Sequence, residues 1–181
     1  MKHYIKNHQI YALESDGSQD HLITEDMVVM KSDRPSPHHV PRIDGVVHVG
    51  WEVPAAALPA LAGRKRTAID NARDDALAAG LNYNIAGETD VVQTRPQDQT
   101  NLLGIAIEAR ELHAAGVTDP VIEFRGLSNV NRFLTPQQAI DLTNAASAHI
   151  KAIYRRSWHR KDAIDMALKN EDWNGIENLE W

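Results

Sequence analysis

Nine histidines invite a metal reading of this 181-residue chain. Two ligands on one helix face need a spacing of three or four, as in H-E-x-x-H. His38-His39 and His48 fall in a proline-rich stretch, while His149 and His159 stand ten apart on a helical run, so no pair has that spacing. They read as surface or interface residues, and neither a metal site nor a cofactor is predicted. Nucleophilic catalysis finds no better footing, for there is no cysteine, no G-x-S-x-G elbow and no G-x-x-x-x-G-K-[ST] phosphate loop. Asp70, Asp74 and Asp75, then Glu108 and Glu111, alternate with Arg64, Arg66, Arg73 and Arg110 as charges do on solvated helix faces. The chain reads as non-enzymatic. An active site assembled only in an oligomer would have these unassigned histidines and carboxylates to draw on, and nothing more.

The chemistry that stands out is recognition. Lys151, Arg155, Arg156, His159, Arg160 and Lys161 form a basic cluster with Tyr154 and Trp158 interleaved. Trp, Tyr and Arg are the residue types that dominate interface hot spots. Three of the four tryptophans lie from Trp158 onward, and the tail from Glu171 adds Trp173, Ile176, Leu179 and Trp181. The predicted partner-binding residues are therefore Tyr154, Arg155, Trp158, Arg160, Trp173, Ile176 and Trp181. An alternative for 151–161 is a small regulatory or nucleic-acid-binding protein using this basic turn. A formal net charge of −6, and Asp162 and Asp165 just beyond the cluster, disfavour it, because phosphate neutralisation needs a positive field.

These side chains need a carrier. Thr135-Pro136-Gln137-Gln138 is a dense helix start: a capping hydroxyl, a proline suited to the first helical position, and a Gln that can reach back. No Gly or Pro follows until after Asn170, which predicts one long helix. Leu142, Ala146, Ile150 and Ile153 make an apolar stripe that, carried forward, meets Ser157 and Arg160 before Ile164 and Leu168. The expectation is a core face interrupted at the basic stretch, where the helix either kinks or leaves its own domain.

Upstream, the expected fold class is α+β. A small N-terminal β-hairpin module occupies 1–32, with strands near Tyr4-Ile5 and Gln9–Leu13 and a turn at Ser15–Ser18. A Pro-rich extended connector follows over 33–60, punctuated by Pro35, Pro37, Pro41, Pro54 and Pro59, with Val46–Val49 as its one strand candidate. The remainder, 61–181, is expected to hold about three helices with short β-hairpins. Arg64–Ala79 is stopped by Gly80. A second helix starts at Pro96, with a core stripe of Leu102, Ile105, Ala106, Ala109 and Leu112. Hairpins are expected near 83–94, turning at Gly87, and around Gly126–Asn129. The start Met1-Lys2-His3-Tyr4 has no signal-peptide run and no window approaches a membrane span, so a soluble protein made in the cytoplasm is expected.

Tyr4, Gln9-Ile10-Tyr11-Ala12 and Asp16-Gly17-Ser18-Gln19-Asp20 together resemble the N-terminal segment of bacteriophage tail fibre assembly proteins. Arg64-Lys65-Arg66, Asp70–Asp74, Ala79-Gly80-Leu81, Leu134-Thr135-Pro136 and His149-Ile150 resemble a domain of unknown function found in phage tail proteins. The ending Ile176-Glu177-Asn178-Leu179-Glu180-Trp181 is similar to that domain's tail. The resemblance skips the connector. It implies a non-enzymatic protein that binds a tail fibre or a neighbouring tail or baseplate component, as an assembly chaperone or a structural subunit kept in the virion tail. Such a protein is made in the host cytoplasm. Self-association stays open under this reading, a membrane partner is not expected, and nucleic acid is disfavoured.

Overall fold

The computed structural model describes residues 1–35 and 37–181. The chain divides into two compact units, Met1–Leu61 and Ala62–Trp181. The architecture is α+β: strands come first, then helices and short β-hairpins, then a long C-terminal helix.

In the first unit, β1 (Lys2–Lys6) and β2 (Gln9–Leu13) form an antiparallel hairpin. Asn7 and His8 at its turn both have positive φ, 49° and 64°, the conformation that matches the twist of the flanking strands. β3 (Val28–Val29) pairs with the other edge of β1, giving the order β2-β1-β3. Tyr4, Ile5, Leu13 and Val28 are buried. The predicted turn forms, with Asp16 accepting hydrogen bonds from the Ser18 amide and hydroxyl at 2.9 and 2.7 Å.

The stretch expected to be an extended connector is instead a second hairpin. β4 (Val40–Asp44) and β5 (Val47–Glu52) pair antiparallel around Gly45, with a register shift between Arg42 and Ile43. Pro41 fits because a two-stranded ribbon has outer backbone groups that need no partner. His48 of β5 is buried. Its Nδ1 accepts the Lys31 N–H at 3.2 Å and its ring stands edge-on to Trp51, centroids 5.0 Å apart. The first helix, α1 (Ala57–Ala79), starts seven residues before Arg64. Pro59 stands in its first turn, where a missing N–H breaks no helical hydrogen bond.

The second unit continues with β6 (Leu81–Ile85), β7 (Glu88–Val92), α2 (Pro96–Ala114), β8 (Ile122–Arg125), β9 (Asn131–Leu134), α3 (Pro136–Lys169) and α4 (Trp173–Glu177). β6–β7 and β8–β9 are separate two-stranded hairpins, each marginal in water unless one face is packed. Their inward residues Ile85, Val92, Ile122, Phe124 and Leu134 join Leu102 and Ala109 of α2 and Ala139, Leu142 and Ala146 of α3 in one core. The predicted α2 stripe is thus the inner face of that helix. Between α1 and β6, Gly80 has φ +75°, and a Cβ there would stand 2.6 Å from both Val91 Cγ1 and the Val92 carbonyl. Only glycine fits this corner.

One polar cluster locks the two hairpins together. Asp90 of β7 is buried and accepts hydrogen bonds from the Ser128 hydroxyl, from the amides of Val91 and Ser128 at 2.7 and 3.2 Å, and from Arg132 Nη1 at 2.7 Å. Arg132 also donates to Glu88 at 3.1 Å. A Cβ at Gly126 would come within 2.5 Å of the Asp90 carboxylate, so the β8–β9 loop can approach this closely only through glycine. The Ser128 hydroxyl and the converging amides, with Arg132, hold the Asp90 carboxyl down at about 2.

Candidate partner-binding surface

α3 carries the predicted surface, and its start follows the local chemistry of the sequence. The Thr135 hydroxyl accepts the Gln138 N–H at 3.2 Å, and the Gln138 side chain accepts the Thr135 N–H at 2.9 Å. The helix is continuous over 34 residues, about 50 Å at 1.5 Å per residue. Its first half packs on α2 and the hairpins.

The expected interruption of the core face at 155–161 does not occur. Ile153, Ser157 and Ile164 are all buried and Arg160 is half-buried. A serine, small enough to sit inside, carries the stripe past the basic stretch, and Ile69 and Leu77 of α1 are buried as well. The second half of α3 is tied to α1 by charge. Lys161 Nζ and Arg73 Nη1 both donate to Asp70 Oδ1, at 2.6 and 2.5 Å, and Arg66 pairs with Asp165. The Lys161 ammonium holds the Asp70 carboxyl below the ordinary carboxylate value. The Arg73 guanidinium lies over the Tyr154 ring, 5.9 Å from its centroid.

Ser157 gives a direct test of this packing. Its Oγ is buried and has no hydrogen-bond partner among the described residues. Removing an unpaired buried hydroxyl removes its desolvation cost, so Ser157→Ala is expected to stabilise the protein by about 1 kcal/mol. A shift of the denaturant midpoint to higher concentration checks this, and a shift to lower concentration would show that the hydroxyl has a partner after all.

The tail turns back on α3. Glu171 adopts φ 55°, the Asp172 N–H reaches the Ala167 carbonyl at 2.8 Å, and the Glu171 N–H reaches that of Leu168 at 3.2 Å. This pattern closes a helix end and reverses the chain. Asp172 then caps α4 by accepting the Gly175 N–H at 2.9 Å, and α4 packs against α3. Lys65 Nζ donates to the Leu179 carbonyl at 3.0 Å. The Arg156 guanidinium lies over the Trp181 ring, 5.0 Å from its centroid.

These contacts sort the predicted binding residues. Ile176 is fully buried, a core anchor rather than a contact for a partner, because α4 lays its apolar face on the domain. Trp173 and Trp181 are half-buried in the same fold-back. Tyr154 is half-buried between Arg73 and Trp158, whose ring centroid is 6.2 Å away. Trp158 itself is 59% exposed. Arg155 and His159 beside it are exposed, and together with Ala152, Arg156 and Arg160 they line an open depression. Of the predicted residues, Trp158 and Arg155 are exposed and Arg160 is half-buried on α3, with the tail packed behind them.

His48 lies in the first unit, His149 and His159 in the second. Among the described residues no group of three or more His, Cys, Asp or Glu side chains is arranged to hold a metal ion. No helix among them is long and apolar enough to cross a membrane. Sequence reasoning missed the Asp90–Arg132 cluster, whose members are 42 residues apart. It also missed the exposed pair Leu103 and Ile107 on α2, which their i,i+4 spacing beside the core stripe signals.

Residues 60–176, α1 to α4, match the family described as a domain of unknown function (DUF4376), and the chain belongs to that family. No curated protein and no solved structure gives a significant match to the chain.

Proposed function

We propose that the protein is a non-enzymatic tail-fibre-associated protein of a bacteriophage. It binds a fibre or neighbouring baseplate component through the Trp158 face of α3, as an assembly chaperone or as a subunit kept in the virion tail. The observation that carries this reading is the exposure of Trp158 on a rigid helix, beside Tyr154 and Arg155. A large indole left in water among cations matches the composition of interface hot spots. The likeness of the segments around 4–20 and 64–74 to phage tail proteins supplies the kind of partner.

Co-expression with the product of the neighbouring fibre gene tests it. Trp158→Ala is expected to weaken that association by about 2 kcal/mol or more, roughly thirtyfold. The thermal midpoint of the isolated protein should stay unchanged, because the ring is mostly outside the fold. Unchanged association would remove Trp158 from the interface. Peptide mapping of purified virions separates the two roles, since a chaperone that leaves is absent from the particle.

The depression lined by Arg155, Arg156, His159 and Arg160 gives the nucleic-acid reading its own observation. Against it stand the chain's net charge of −6 and the engagement of Arg156 with Trp181. Binding to DNA or RNA that is undetectable at low salt, where electrostatics are strongest, eliminates that alternative.

A further inference from the structure

A second surface lies one side of α3 away from Trp158. α2 and the first half of α3 pack against each other, and a groove of about 320 Å³ opens between them. Leu102, Leu103, Ala106 and Ile150 supply its apolar lining. The apolar wall extends outward, for Leu103 and Ile107 are 60% and 50% exposed one helical turn apart on α2. The charged residues lining the groove, Arg110 and Lys151, are both cations in a chain of net charge −6. Arg110 donates to the neutral Asn144. One turn beyond Lys151 on the same face of α3, Arg155 continues the positive rim.

This combination narrows the occupant. Both walls are helices whose backbone groups are hydrogen-bonded internally, so neither offers an edge on which a strand could pair. An occupant must satisfy its own backbone, and a helix does so. The carbon floor suits an apolar stripe, whereas a nucleic-acid backbone would need cations along the floor itself. Cations on the rim suit carboxylates on the flanks of that stripe. From Asn144 to Arg155 the path is about 16 Å, three turns of helix.

We propose that the α2–α3 groove receives an amphipathic helix of a partner protein, its apolar face on Leu103 and Ile107 and its flanking carboxylates on Arg110 and Lys151. This assignment does not rest on the fibre reading, because Leu103, Ile107, Arg110 and Lys151 take no part in it.

The test uses the full chain and two labelled helical peptides of about fourteen residues. They share one leucine stripe and differ only in carrying Glu or Lys on its flanks. Fluorescence anisotropy at low salt should show the Glu peptide binding about tenfold or more tighter than the Lys peptide, the scale that two or three rim charges give. Leu103→Asp should reduce Glu-peptide binding about tenfold or more by placing a carboxylate on the apolar wall. Leu103 is exposed, so the thermal midpoint should hold. Trp158→Ala should leave peptide binding unchanged, which separates this site from the fibre-binding face. Equal affinity for both peptides, no binding of either, or full retention by Leu103→Asp each overturns the proposal. So does dimerisation that Leu103→Asp abolishes, which would make a second copy the occupant.

Discussion

Asp90→Ala is expected to destabilise the protein by about 3–5 kcal/mol, the range for breaking a buried ion pair from one side. The loss has three parts. Arg132, itself nearly buried, keeps only Glu88 and weaker contacts to the Ser128 hydroxyl and the Val130 carbonyl. The Val91 and Ser128 amides lose an acceptor. The Ser128 hydroxyl loses the acceptor for its own proton. The β8–β9 loop, held against β7 otherwise by the Leu127 N–H bond to the Val91 carbonyl at 2.9 Å, loses its main clasp. Urea denaturation of the wild type and the variant measures the difference. A cost below about 1 kcal/mol would mean that the hairpins hold together by apolar packing alone.

The same carboxylate makes stability depend on acid. Its folded value of about 2 lies below the unfolded 3.8, so the folded state binds its proton later. The stabilisation is complete above the unfolded value and is lost as pH falls from about 4 through about 2, amounting to roughly 2 kcal/mol. In Asp90→Ala this contribution disappears, so the gap between the two proteins should narrow across that window.

Ile176→Ala should cost about 2–5 kcal/mol, as truncation of a buried aliphatic side chain does. The effect should be local in an informative way. α4 is five residues long and cannot persist as an isolated helix. Once Ile176 no longer anchors it, the segment from Glu171 to Trp181 should loosen from α3. Trp173 and Trp181 should then move into water and shift tryptophan emission to the red, and limited proteolysis should open near Lys169. If the variant unfolds only globally, with no early tail release, α4 is part of the main cooperative unit rather than a separately docked element. Loss of fibre association in this variant would report the tail's support of α3, because Ile176 itself is inside.

What the sequence made legible were features with local causes. The Thr135–Gln138 start of α3, the Gly80 corner and the hairpin around Gly126–Asn129 are each dictated by residues within a few positions of one another. The β4–β5 hairpin is hidden because the prolines around it signal extension, which outweighs the short Asp44-Gly45 turn signal between its strands. α4 was hidden because Glu171 takes the left-handed position where a glycine usually advertises a helix end. Ser157 looked like a break in the stripe because residue type alone does not tell a small buried serine from a surface one. The Asp90–Arg132 cluster depends on a contact 42 residues apart and the α1–α3 ion pairs on contacts 91 and 99 apart, which no local pattern encodes. For the candidate surface, residue types point to the Trp158 face, and only the fold-back of the tail shows that Ile176 is buried behind it.

The run from Tyr154 to Lys161 is one charged block in sequence and three addresses in space. Tyr154 and Lys161 answer to α1, Arg156 answers to Trp181, and Arg155, Trp158 and His159 face solvent. Each residue of helix turns the next by about 100°, so the sorting depends on counting rather than composition. Exchanging a solvent-facing residue for another alters one address. Inserting or deleting a single residue rotates everything beyond it and misdirects all three at once. The length of this segment is therefore fixed by the helix it belongs to, independently of what its outer face binds.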